Sequence, residues 1–227
     1  MYTAERPVSS LAREWMTWET RLVPELSIEH VDDETVDAGN GIHIPRAWIA
    51  VVTGLPEIPG PVRAHAVYDP TLRRAVAGSI RVDRQGPGDE VTTTLLRDLR
   101  VQYIVQWAAM RVVRIQGETD ATENYSQYIT RVRAEGSRSS EQTLIEAARL
   151  YRLASVTNQG PLKLVSDELG VSVSTATRMM NRVRGTGLLD EATDREIYLL
   201  AREEQMREAE ASAPWMQPGT SGPSLGR

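Results

Sequence analysis

The sequence predicts an α+β N-terminal domain, a small and mostly antiparallel sheet with helices against it, followed by an all-α C-terminal domain. Three observations carry that reading. β-rich runs alternate with turn signals between residues 47 and 82. Apolar residues recur at helical spacing from about residue 95 onward. At 227 residues, the chain has room for one large domain or two modest ones. The expected layout is an α+β domain over 1–120, a linker over 121–140, an all-α domain with a C-terminal helix over 141–212, and a disordered tail over 213–227.

Leu11, Trp15, Trp18 and Leu22 fall at helical spacing and predict a short helix within 8–27. Residues 28–45 are acidic and glycine-containing (Asp32, Asp33, Glu34, Asp37, Gly39, Gly41) and read as a loop. Ala47 to Thr53 reads as a strand ending at Gly54, and the prolines from Pro56 to Pro61 mark a connection. Val62 to Tyr68 and Ala75 to Val82 flank Asp69-Pro70-Thr71-Leu72-Arg73, which predicts a β-hairpin with a longer loop. Gln85 to Gly88 stops the second strand. Asp89 is placed to cap a helix carrying Leu95, Leu96 and Leu99, which continues over Val101 to Ile115 after a bend near Arg100. There Ile104, Trp107, Ala108 and Val112 share one face. Residues 117–140 are polar and read as the linker, with room for a helical turn or two at Tyr125 to Arg133.

Three helices follow. The first runs from Glu141 to about Val156, capped by Ser140, with Leu144, Ala148 and Tyr151 inward. Gly160-Pro161 opens the second, because proline at the first helical position loses only an N–H that has no intrahelical partner there. Its apolar positions are Leu162, Val165 and Leu169, with Lys163, Asp167 and Glu168 expected outside. Gly170 supplies the left-handed residue that ends a helix sharply, Val171 fills the angle, and Ser172 caps the third helix. That helix sets Ala176, Met179, Met180 and Val183 inward at i, i+3, i+4 and i+7. Ser174, Thr175, Thr177, Arg178, Asn181, Arg182 and Arg184 face outward, and no acidic residue occurs from Val171 through Leu189.

Charge is distributed unevenly. The whole chain carries −5, yet residues 130–189 hold nine basic and five acidic groups. A phosphate-facing surface has to be basic, and only this stretch is. Two helices joined by a tight Gly-Val-Ser turn, with an acid-free outer face on the second, predict a helix-turn-helix that binds duplex DNA. The expected contacts are Lys163, Ser172, Ser174, Thr175, Thr177, Arg178, Asn181, Arg182 and Arg184. The recognition helix spans 173–184 and reads bases with Ser174, Thr177, Arg178 and Asn181.

The run from Pro161 to Arg178, followed by Val183-Arg184-Gly185-Thr186-Gly187-Leu188-Leu189, resembles the helix-turn-helix of many actinobacterial and actinophage DNA-binding proteins. Val91 to Leu99 resembles a passage in the uncharacterised N-terminal regions of such proteins. Usage of basic residues points the same way: Lys163 is the only lysine beside 25 arginines, as in a GC-rich genome. The resemblance implies DNA binding and leaves the N-terminal domain without a role. Two positions depart from the pattern. Val173 stands where a polar residue is usual and suits a thymine methyl group instead. Ser166 replaces an alanine, with its hydroxyl expected to bond back to a helix carbonyl.

The expected activity is therefore sequence-specific, non-enzymatic DNA binding, as in a transcriptional regulator that works as a homodimer. The N-terminal domain would serve dimerisation or a protein partner. The alternative is an assembly protein of a phage or mobile element that uses DNA only to localise. No cofactor or metal is expected: there is no cysteine, His30, His43 and His65 fall at no ligand spacing, and Asp32, Asp33, Glu34 and Asp37 read as a solvated loop. The absence of cysteine, of a signal peptide and of a long apolar run predicts a cytoplasmic protein with no membrane partner. Asp194 is placed to cap the last helix, which carries Ile197, Leu200 and Ala201.

Overall fold

The computed structural model describes residues 24–189 except 56, 57, 59, 85, 118–120 and 136–139. The helix expected within 8–27 lies almost wholly outside the described residues. So do the final helix from Asp194 and the 213–227 tail. The described chain is mixed α/β: two small antiparallel sheets and six helices.

The first sheet contains β1 (Glu25–Val31), β4 (Ala47–Thr53), β5 (Val62–Asp69) and β6 (Arg74–Val82), in the order β1-β4-β5-β6. Alternation explains its two faces. Trp48, Ala50 and Val52 of β4 and Val62, Ala64, Ala66 and Tyr68 of β5 are buried along one face, as a period of two requires. The β5–β6 hairpin matches the expectation from the Asp69-Pro70 turn. Asp69 closes it by accepting from the Thr71 and Leu72 amides at 2.8 and 2.9 Å.

The second sheet contains β2 (Thr35–Asp37), β3 (Ile42–Pro45), β7 (Arg114–Gln116) and β8 (Thr122–Asn124), in the order β2-β3-β7-β8. Its core is Ile42, Ile44 and Ile115, all fully buried. The loop expected over 28–45 is thereby corrected. Most of that segment is strand, and its acids sit at turns: Asp32 accepts from the Glu34 amide at 3.1 Å, and Asp37 from the Gly39 amide at 2.8 Å.

Helix α1 (Thr93–Asp98) is short and buries nothing. Its cap is Thr92, which accepts from the Leu95 amide at 3.2 Å; Asp89 instead holds the Gly86 amide at 3.0 Å. The expected bend at Arg100 separates α1 from α2 (Val101–Val112), which lays Ile104, Val105, Ala108, Ala109 and Val112 on the first sheet. The chain leaves α2 at Val113 and enters β7, so the helix does not reach Ile115.

The largest correction falls on the expected linker. Residues 122–134 form β8 and then α3 (Tyr125–Ala134), opened by a capping box in which Asn124 and Gln127 exchange side-chain and backbone bonds. Tyr128, Ile129 and Val132 are buried. They join one apolar core running from the first sheet to the last helix.

Helices α4 (Ser140–Val156), α5 (Pro161–Leu169) and α6 (Val173–Thr186) pack on one another and close the described chain. In α4 the buried residues include Ala147, Ala148, Leu150, Leu153 and Ala154. Leu144 and Tyr151 are only partly buried, so the inner face is rotated from the expected one.

Candidate nucleic-acid interface

The outer face of α6 is fixed by the turn before it. Gly170 takes φ +65, the left-handed region that a Cβ disfavours. Its N–H bonds to the Ser166 carbonyl, as does the Val171 N–H at 3.0 Å. Ser166 then donates its hydroxyl forward to the Val171 carbonyl at 2.6 Å. Rather than bonding back into its own helix, as expected, this hydroxyl closes the turn from the other side. Ser172 caps α6 by accepting from the Thr175 amide at 3.2 Å.

Below the turn, Ala176, Met180 and Val183 are buried and Met179 is partly so, following the predicted stripe. Above it, Ser172, Val173, Ser174, Thr177, Arg178, Asn181, Arg182 and Arg184 are exposed, while Thr175 is half-buried. Val173 keeps 54% of its surface open, an unusual position for a β-branched apolar side chain.

These side chains are not equally available. Thr177 donates to the Val173 carbonyl at 2.9 Å, and the Ser172 hydroxyl lies 2.9 Å from those of both Ser174 and Thr175. Arg184 donates to the Asn181 carboxamide oxygen at 3.2 Å and stacks over the Tyr151 ring at 5.9 Å. Lys163 lies on α5, where its ammonium meets Asp167 at 3.0 Å. Arg178 and Arg182 have no ion pair or side-chain hydrogen bond among the described residues.

Charges behind this face are neutralised in pairs. Glu168, expected on the outside of α5, is buried. It accepts both Nε and Nη2 of Arg133 on α3, the latter at 2.9 Å. That hydrogen bond holds the Arg133 guanidinium above its ordinary range. Glu146 of α4, also buried, accepts from the Tyr128 hydroxyl at 2.6 Å and faces Arg131 and Arg149 at 3.6 and 3.5 Å. Burial, and then the Glu146 charge, pushes the Tyr128 phenol well up. Burial also pushes Tyr125 up to about 12, against the opposing effect of its Gln159 hydrogen bond.

Sequence reasoning does not anticipate these supports, because α3 reads as linker. The signal is present in Asn124-x-x-Gln127 and in the spacing of Tyr125, Tyr128, Ile129 and Val132. Among the described residues, no group of three or more His, Asp or Glu side chains is arranged to hold a metal ion. No helix there is long and apolar enough to cross a membrane. No protein-family model matches the sequence, and neither a curated protein nor a solved structure matches it.

Proposed function

We propose that α5, the Gly170–Ser172 turn and α6 act as a helix-turn-helix that binds duplex DNA with sequence preference. One observation carries this reading: an acid-free helix face exposing Arg178 and Arg182, neither of which has a partner among the described residues. An exposed guanidinium with no carboxylate nearby is matched to an anionic ligand, and the planar fork suits a phosphate or a guanine edge. The exposed Val173 offers methyl groups to a thymine at the mouth of the helix.

Transcriptional regulation by a homodimer is the biological role this surface favours. A single small module buries limited area, and such binders usually act in pairs. Selection from a randomised duplex pool followed by gel shift tests the reading. An enriched sequence bound more tightly than the starting pool at moderate salt is expected. No enrichment would refute specific binding, and no shift at low salt would refute DNA binding.

A further inference from the structure

Val173 is the most exposed large hydrophobic side chain among the described residues, and it is not part of the apolar core. It opens α6, where an acidic or polar side chain would suit the positive end of the helix dipole better. Neither burial nor capping accounts for it.

The hydroxyls around it are already engaged within the helix. Thr177 donates its proton to the Val173 carbonyl at 2.9 Å and has none left to give to a base. The Ser172 hydroxyl lies 2.9 Å from those of both Ser174 and Thr175 and also accepts the Thr175 amide. Thr177 is exposed, so the group it adds to the Val173 isopropyl is its own methyl. Residues four apart on a helix are neighbours, with Cβ atoms about 5–6 Å from each other. At about 3.6 residues per turn, Val173 and Thr177 fall along one flank of the exposed face. Arg178 and Arg182 fall along the other, with Ser174 and Asn181 between them.

In the major groove, thymine shows an O4 acceptor and a C5-methyl group, whereas cytosine shows an N4 donor and no methyl. An apolar flank senses the methyl and not the exocyclic group, and 5-methylcytosine carries the same methyl at the same place.

We propose that Val173 and Thr177 form a reader for the C5-methyl group of a pyrimidine, accepting thymine and 5-methylcytosine alike. This rests on the helix-turn-helix reading and names the base edge that the apolar flank of α6 selects. Methylation of cytosine at that position of a target would then strengthen binding.

The test uses the full chain and an enriched duplex in which each thymine is replaced in turn by deoxyuridine. At one or two positions binding should weaken about fourfold, the worth of one buried methyl group. At such a position 5-methylcytosine should regain about the same factor over cytosine. Val173→Ala should weaken binding to the thymine duplex and bind the uracil duplex as the parent does, which a folding defect would not allow. Thr177→Ser keeps the hydroxyl and removes the methyl, and should shrink the thymine-to-uracil ratio; Thr177→Val should preserve it. An enriched core without a uracil-sensitive thymine, or a ratio unchanged in Val173→Ala, overturns this inference alone. Sensitivity to uracil with no gain from 5-methylcytosine overturns the claim that the methyl is read apart from the rest of the base. A parent chain that enriches no duplex overturns the inference together with the DNA-binding reading.

Discussion

Asn40 donates its Nδ2 to the carbonyl of Leu188 at 2.9 Å, joining a strand turn to the end of α6 across 148 residues. The same loop receives Arg149, whose Nε donates to the Asn40 carbonyl at 3.2 Å. Gly39, Asn40 and Gly41 all have positive φ, so the loop curls tightly enough to seat against α4. The closing turn of α6 is therefore positioned by the second sheet as well as by its neighbouring helices.

Asn40→Gly tests that relationship, since glycine keeps the left-handed backbone and removes only the donor. Stability should fall by about 1 kcal/mol, the usual net value of one such bond. Amide exchange at residues 187–189 should accelerate more than exchange within α4. Equal protection at both places would show that the hydrogen bond does not hold the turn.

Two substitutions address the turn between α5 and α6. Ser166→Ala leaves the Val171 carbonyl without its 2.6 Å donor and should cost about 1–2 kcal/mol. Gly170→Ala meets no steric neighbour but forces a Cβ into φ +65, also about 1–2 kcal/mol. Urea midpoints at constant m-value check both. A neutral Gly170→Ala would show that the turn relaxes freely.

Arg133 and Glu168 differ in exposure, the arginine side chain being half open and the glutamate nearly closed. Arg133→Ala should therefore cost more than removing both charges. Stranding a buried carboxylate costs several kcal/mol in a closed site, and about 2 kcal/mol is expected here because water reaches the arginine side. Arg133→Ala/Glu168→Leu should recover about half of that loss in a denaturation cycle.

The Tyr125 and Tyr128 phenols set an alkaline limit. Tyr125 titrates near 12 in the folded chain against about 10 when unfolded, and Tyr128 is shifted in the same direction. A phenol raised in the fold stabilises it fully below pH 10, and that contribution disappears as pH rises through about 12. The urea midpoint should drop between pH 10 and 12. Tyr125→Phe/Tyr128→Phe should flatten that drop while lowering stability at pH 8, because Glu146 loses its donor.

On DNA, Arg178→Ala should relax sequence preference, whereas Arg184→Ala should weaken all sequences about equally and flatten the salt slope. Arg184 also stacks on Tyr151 and bonds Asn181, so its removal should lower the melting temperature as well. Binding ratios across a set of single-base variants separate the two. Identical profiles would show that the base and phosphate assignments are wrong.

Much of this architecture is legible locally. The hairpin follows from alternation around Asp69-Pro70, and the α5–α6 turn from Gly170 and Ser172, because those signals lie within a few residues of what they specify. What escapes is decided at long range. Ile42 and Ile44 alternate like a strand, but the acids at 32–37 mask the pattern, and strand pairing with β7 settles it some 70 residues away. Glu168 reads as a surface residue because its partner belongs to α3, 35 positions earlier. The outward face of α6 is visible in the spacing as a face. Which of its groups are already engaged depends on Tyr151 and on local side-chain hydrogen bonds that spacing does not reveal.

The burial of Tyr128, Ile129 and Val132 bears on modularity. A fragment cut at residue 140 would carry away α4, α5 and α6 without the α3 helix that packs on α5, and with Glu146 and Glu168 stranded from Tyr128 and Arg133. Transplanting the three helices to another scaffold requires residues 122–134 to travel with them. The α5–α6 unit is built into the fold rather than appended to it, and the Asn40–Leu188 hydrogen bond ties its end to the turn before β3.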